Sequence, residues 1–88
     1  MNSNIIIKID GSEEEFLLPK TNQLKPLQKA VGGLIEVVPS THKGLSVICN
    51  EEGKLLGLPI NYKATVLHRF GADPLCGDVV ILQTNKLH

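Results

Sequence analysis

The chain has 88 residues, of which 42% are hydrophobic and 20% are charged, and its nine basic residues balance nine acidic ones. This length predicts one domain, residues 1–88, and the composition excludes a disordered chain. Aromatic residues make up 3% of the chain. We expect no nucleic acid polymer as partner, because such binding uses clustered basic side chains and stacking aromatic rings.

The sequence also bears on location and assembly. It contains no apolar run near the roughly 18 residues that a membrane-spanning helix needs, and its start lacks the pattern of a secretory signal. Cys49 and Cys76 are the two cysteines. We expect two buried thiols in a reducing cytoplasm, with a disulfide between them as the alternative. Small aliphatic cores are often completed by a second copy, so we expect a homo-oligomer and no membrane partner.

The first part of the chain predicts a β-hairpin and a helix. Residues 4–9 are rich in β-branched residues, and an Asp-Gly-Ser turn connects them to a second strand over 14–18. Three consecutive glutamates, 13–15, predict a solvated shoulder of this hairpin. A helix is predicted over 23–31, with Asn22 as its N-cap.

Two consecutive glycines follow this helix and lead into a strand over 34–38. Gly32 can take the positive φ that a helix end requires, and Gly33 lets the backbone turn into the strand. A phosphate-binding glycine loop precedes a helix, whereas this pair follows one. The pair therefore predicts a helix stop and not a phosphate site.

The next part of the chain predicts a second hairpin. We expect the strand 45–49 to pair with 34–38. Residues 50–53 then predict a tight turn, with Gly53 at its positive-φ position.

A second helix and a last strand complete the chain. Asn61 is a suitable N-cap for a helix over 62–70, which Gly71 ends, and the strand 78–83 follows. The order ββαββαβ predicts an α+β domain with a small, mainly antiparallel sheet and two short helices on one face.

Several segments resemble a known family. LQKAVGGLIEVV, then NEEGKLLGLPIN running into KAT, then GDVVIL, resemble the domain-of-unknown-function family 3846, a set of small proteins of phages, plasmids and bacteria. The resemblance spans about residues 24–82, and its motifs are specific as a set. It implies a cytoplasmic, phage-encoded protein, and it carries a fold pattern and a context, not a reaction.

Glu36 lies within an otherwise apolar run. Strand alternation places it on one face with Leu34 and Val38. One interpretation is a partly solvated carboxylate that pairs with a lysine of a neighbouring strand. The other is a carboxylate that contacts a ligand or a second subunit.

Further polar residues are predicted at strand and helix ends. Asn50 ends a strand, Asn61 opens the second helix, and Thr65 lies one turn later. Caps and turns alone would explain them, and the alternative is that they converge on a small polar ligand. Lys63 and Arg69 are the available phosphate partners, although Arg69 also suits a contact with the helix dipole.

The pattern predicts neither an enzyme nor a cofactor. His42, His68 and His88 are scattered, and their spacing does not suit a zinc site. A nucleophilic cysteine would need a neighbouring histidine, and we expect both cysteines to be inert.

We therefore predict a non-catalytic binding protein for a small nucleotide-like molecule. In a phage setting this would be a sponge that sequesters a nucleotide immune signal of the cyclic dinucleotide or cyclic ADP-ribose type. The first alternative is an interaction domain that docks on a host factor through the exposed sheet face and inhibits it. A small hydrolase comes third.

Overall fold

The computed structural model describes residues 4–38, 40, 44–66 and 74–83. In chain order its elements are β1 Ile5–Ile7, β2 Glu13–Glu15, α1 Leu24–Val31, β3 Ile35–Val38, β4 Leu45–Asn50, α2 Tyr62–Thr65 and β5 Val79–Gln83. This is the predicted ββαββαβ order of an α+β domain. None of the helices in the described ranges is long and apolar enough to cross a membrane.

The five strands form one sheet in the order β2-β1-β5-β4-β3, and every neighbouring pair is antiparallel. Both predicted hairpins are confirmed, since β1 pairs with β2 and β3 pairs with β4. The last strand, β5, lies between the two hairpins and joins them. The edges of the sheet are therefore β2 and β3.

Each face of the sheet carries its own apolar core. Val79 and Ile81 of β5 belong to one core with Ala64 of α2, whereas Val80 belongs to the other with Val31 of α1. The two helices thus lie on opposite faces, and the expectation of both on one face was wrong. The central strands are apolar at consecutive positions, so both of their faces need cover.

The ends of α1 differ in how well they were predicted. Asn22 is not the N-cap, because its backbone is left-handed, with φ 55, and Gln23 occupies the cap position. Gln23 makes no side-chain cap hydrogen bond there, and its Nε2 donates to the Pro19 carbonyl at 2.9 Å. The predicted stop is confirmed, since Gly32 has φ 82 and its N–H donates to the Gln28 carbonyl.

Two further predictions concern the second half of the chain. Asn61 caps α2 as expected, but α2 ends at Thr65 with Val66 as its C-cap, short of the predicted end at residue 70. Residues 67–70 and Gly71 lie outside the described residues. Gly53 does not have the positive φ that the turn suggested. A Cβ at Gly53 would lie 2.9 Å from the Cys76 carbonyl oxygen, so close packing explains this glycine.

Candidate functional site

An open cleft of about 200 Å³ lies on the sheet face that carries α2. It is bounded by β3, β4, the turn after β4 and the segment that precedes β5. Its polar lining residues are Glu36, Cys49, Asn50, Glu51, Lys54 and Cys76. Six residues with charged, amide or thiol side chains therefore line this cleft.

Glu36 and Cys49 stand opposite each other in the β3–β4 ladder. Residues that are directly opposite in an antiparallel pair project to the same face, so the exposed carboxylate and the buried thiol lie side by side. Burial, and next the charge of Glu36 and then Cys76, raise the pKa of Cys49 from 9.0 to about 11. Cys49 is therefore a protonated thiol at neutral pH and not a nucleophilic thiolate.

Asn50 also lines the cleft, but its side chain is engaged within the protein. The residue is 5% exposed. Its Nδ2 donates to the Val31 carbonyl at 3.0 Å, and its Oδ1 accepts from the Glu52 N–H at 2.7 Å. Asn50 thus joins the last turn of α1 to the turn that follows β4.

Asn61 is fully buried and holds α2 against the sheet. Its Nδ2 donates to the carbonyls of Ile7 and Gly77, at 2.8 and 3.0 Å, and its Oδ1 accepts from the Ala64 N–H. The amide protons are both used, and the side chain has a complete set of internal partners. We infer that Asn61 is a structural residue.

Thr65 extends this network. Its hydroxyl donates to the Asn61 carbonyl at 2.8 Å and accepts from the Leu75 N–H at 3.0 Å. The Asn61 N–H donates in turn to the Leu75 carbonyl. These hydrogen bonds form a closed network, and through it residues 61–65 attach α2 to the segment that precedes β5.

Lys63 lies on the exposed side of α2 and points toward the first hairpin. Its Nζ lies 2.7 Å from a Glu13 carboxylate oxygen and 3.1 Å from the Gly11 carbonyl. Its charge is thus partly balanced by a neighbour, at a distance from the cleft. Arg69, the other predicted phosphate partner, lies outside the described residues, as do His42, His68 and His88.

The structure therefore divides the predicted site. Glu36 and Asn50 line one cleft, whereas Asn61, Lys63 and Thr65 lie elsewhere on and around α2. Ligand binding by these residues stays a prediction, and the geometry favours Glu36 among them. The ion pairs Lys8–Asp78 and Lys63–Glu13 do not include Glu36, and its pairing with a lysine of a neighbouring strand stays a prediction.

Four polar lining residues of the cleft were not among the predicted site residues: Cys49, Glu51, Lys54 and Cys76. Cys49 lies opposite Glu36 because of the register of the β3–β4 pair, which the predicted strand ranges did not specify. Cys76 reaches the cleft through its bridge to Ile60, a pairing without a local sequence signal. Both cysteines are buried free thiols, and the described residues contain no cluster of three His, Cys, Asp or Glu able to hold a metal ion.

The chain was compared with protein families, curated proteins and solved structures. The curated proteins and the solved structures give no match. The family model described as a domain of unknown function, DUF3846, matches residues 3–87. Because this match covers nearly the whole chain, the protein belongs to the DUF3846 family.

Proposed function

We propose that this protein is a non-catalytic binding protein that takes a small molecule in the Glu36 cleft. The observation that carries the proposal is the exposed Glu36 carboxylate, which lies in an open cleft that a second acidic residue, Glu51, also lines. Carboxylates accept hydrogen bonds from N–H and O–H groups, and such charge-assisted bonds are stronger than neutral ones. The ligand therefore offers donors to the cleft.

The charges of the cleft select the part of the ligand that it holds. Lys54 is its one cationic residue within the described lining, against Glu36 and Glu51. A phosphate placed beside these carboxylates would be repelled, whereas a ribose hydroxyl or a nucleobase N–H would be attracted. For a nucleotide-like ligand, we propose that the nucleoside enters the cleft and that the phosphates stay outside it.

The chemistry of Cys49 argues against a hydrolase that uses this cysteine as its nucleophile. The thiol beside Glu36 stays protonated, since burial and the neighbouring carboxylate raise its pKa to about 11. A cysteine nucleophile requires the opposite shift. If the protein is phage-encoded, the specific form of this proposal is sequestration of a nucleotide immune signal in a host cell.

Thermal-shift assays with nucleosides, cyclic dinucleotides and cyclic ADP-ribose isomers test the proposal. We compare wild type with Glu36→Ala and with Glu14→Ala, a matched loss of an exposed glutamate on β2. At least one nucleoside-containing compound should raise the melting temperature of wild type and Glu14→Ala, and Glu36→Ala should weaken its binding about tenfold or more. The compound should be recovered intact after denaturation.

Equal stabilisation of all three proteins would contradict binding at Glu36. Conversion of the compound would favour the hydrolase hypothesis. If no compound binds, the alternative of a docking domain gains weight. Leu55, which is 86% exposed, and Leu56, which is 57% exposed, form an apolar surface on the turn after β4 that suits a protein contact.

A further inference from the structure

The two edges of the sheet differ in chemistry. The outer strand β2 is Glu13-Glu14-Glu15, and all three residues are exposed. A row of like charges protects a sheet edge from pairing with another chain. The opposite edge, β3, is Ile35-Glu36-Val37-Val38, in which Val37 is 60% exposed. In the part of the chain that the structure describes, no strand pairs with its outer side.

The hydrogen-bond pattern shows which backbone groups of β3 face outward. The Glu51 N–H donates to the Leu34 carbonyl at 2.8 Å, so these two residues are a hydrogen-bonded pair. Such pairs alternate along an antiparallel ladder. Glu36 and Val38 therefore bond inward to β4, while the N–H and C=O groups of Ile35 and Val37 point away from the sheet.

We propose that β3 pairs with β3 of a second copy of this chain. We consider two antiparallel β3 strands related by a two-fold axis perpendicular to the sheet. Residues that stand opposite each other must project to the same face. The axis must therefore pass between one residue and the same residue of the partner copy. Centring on Val37 places its outward N–H and C=O opposite the same groups of the partner copy. The two groups then form a reciprocal pair of hydrogen bonds, and the two valine side chains meet.

Charge disfavours the register centred on Glu36 and disfavours β2 as the partner strand. Centring on Glu36 would set two carboxylates directly opposite each other, which is destabilising. Pairing of β3 with β2 of another copy would bring Glu36 to a row of three glutamates and would produce an open chain of copies. Pairing of β3 with itself avoids both conflicts and closes as a dimer.

The dimer would bring the two Glu36 clefts to the same face of one continuous sheet. Centring on Val37 sets Glu36 of one copy opposite Val38 of the other, and the two Glu36 Cα atoms lie roughly 8 Å apart. Each cleft then borders the other across the two-fold axis. This proposal rests on β3 alone and holds whether or not a ligand binds.

Analytical ultracentrifugation of the ligand-free chain, over a concentration series, tests the proposal. The chain has a mass of 9.6 kDa, and we expect the wild type to approach twice that mass in the micromolar range, because a short edge contact is weak. Val37→Lys would place two positively charged side chains opposite each other in the dimer. Val37→Pro would remove an outward N–H that the β3–β4 ladder does not use. Both variants should raise the dimer dissociation constant at least tenfold.

The matched control is Leu17→Lys, since Leu17 is 79% exposed and follows the opposite edge. It should dimerise like the wild type, and all variants should keep the wild-type circular dichroism spectrum. A wild type that stays monomeric at millimolar concentration would overturn the proposal and leave the edge to a strand of a different protein. A dimer that persists in both Val37 variants would also overturn it. Ligand binding with a monomeric wild type would refute the dimer and spare the binding function.

Discussion

The side chain of Asn50 occupies the space that a side chain at Gly33 would need. A Cβ at Gly33 would lie 2.9 Å from Asn50 Nδ2, well inside van der Waals contact. That amide is buried and fixed by its hydrogen bonds to Val31 and Glu52. The two consecutive glycines therefore have different causes, a positive φ at Gly32 and a close approach at Gly33.

We expect Gly33→Ala to destabilise the protein by about 1 to 2 kcal/mol, because Asn50 must give up part of its hydrogen bonding to admit the methyl group. Asn50→Ala should cost about 2 to 3 kcal/mol, since it leaves the Val31 carbonyl without its donor. The double variant should cost less than the sum of the two single variants. Urea unfolding of all four proteins measures these free energies.

The cycle gives a clear contrary result. If Gly33→Ala costs the same with Asn50 and with Ala at position 50, the contact between the two residues does not explain the glycine.

Asn61→Asp should be strongly destabilising at neutral pH, by about 3 to 5 kcal/mol. The carboxylate would face the carbonyls of Ile7 and Gly77, which now accept from Nδ2. Burial and these carbonyls would raise the pKa of the new carboxyl, so stability should fall as pH rises from about 4, the ordinary pKa of aspartate, toward the raised value, and it should be recovered below about 4. Asn22→Asp, at an exposed asparagine, is the control and should change stability little.

Thermal unfolding at two pH values reads this prediction directly. An Asn61→Asp protein as stable as the wild type would show that the buried network around Asn61 is not formed. Because Asn61 is structural in this account, loss of ligand binding in a substituted Asn61 would report misfolding and not a lost ligand contact.

Much of the fold follows from sequence patterns. The Asp-Gly turn, the apolar strands and the glycine after α1 predicted the elements and both hairpins correctly. The position of β5 between the hairpins has no local signal, because it depends on contacts between distant segments. The consecutive apolar residues of β1 and β5 did carry a sign that both faces are covered, and one-sided cover was expected nonetheless.

The site was less predictable than the fold. Glu36 stood out because an ionisable residue interrupts an apolar strand, and it does line the cleft. Asn50 and Asn61 also stood out, yet each is buried with internal partners. A polar residue at a strand or helix end has the same sequence pattern whether it serves the fold or a ligand, so only the positions of its partners separate the two roles.

Cys49 gives a prediction for alkaline pH. Its pKa of about 11 exceeds the ordinary value of 9.0, so above pH 9 the unfolded chain loses this proton first and gains stability relative to the folded chain. The free energy of unfolding should therefore fall as pH rises from 9 toward 11, by about 1 kcal/mol near pH 10 from this group.

Cys49→Ala removes that contribution and is the comparison variant. Its unfolding free energy should decline less steeply with pH than that of the wild type, as measured by urea unfolding at about pH 8 and about pH 10. Identical slopes for the two proteins would contradict the raised pKa of the Cys49 thiol.

Lys63→Ala should change stability by less than about 1 kcal/mol, because its ion pair with Glu13 is about half exposed and screened by solvent. Since Lys63 lies away from the Glu36 cleft, we also expect ligand affinity to stay within about twofold of the wild type. Isothermal titration with the compound found by thermal shift checks this. A tenfold loss of affinity would indicate that the ligand binds near α2 and not in the Glu36 cleft.

Native mass spectrometry of protein purified from its own host tests most directly whether a small molecule occupies the Glu36 cleft. We predict that the wild type retains a small molecule and that folded Glu36→Ala, purified in parallel, does not. A wild type without any retained mass that also binds none of the nucleoside compounds, or a Glu36→Ala protein that carries the same molecule, would contradict a ligand site at Glu36.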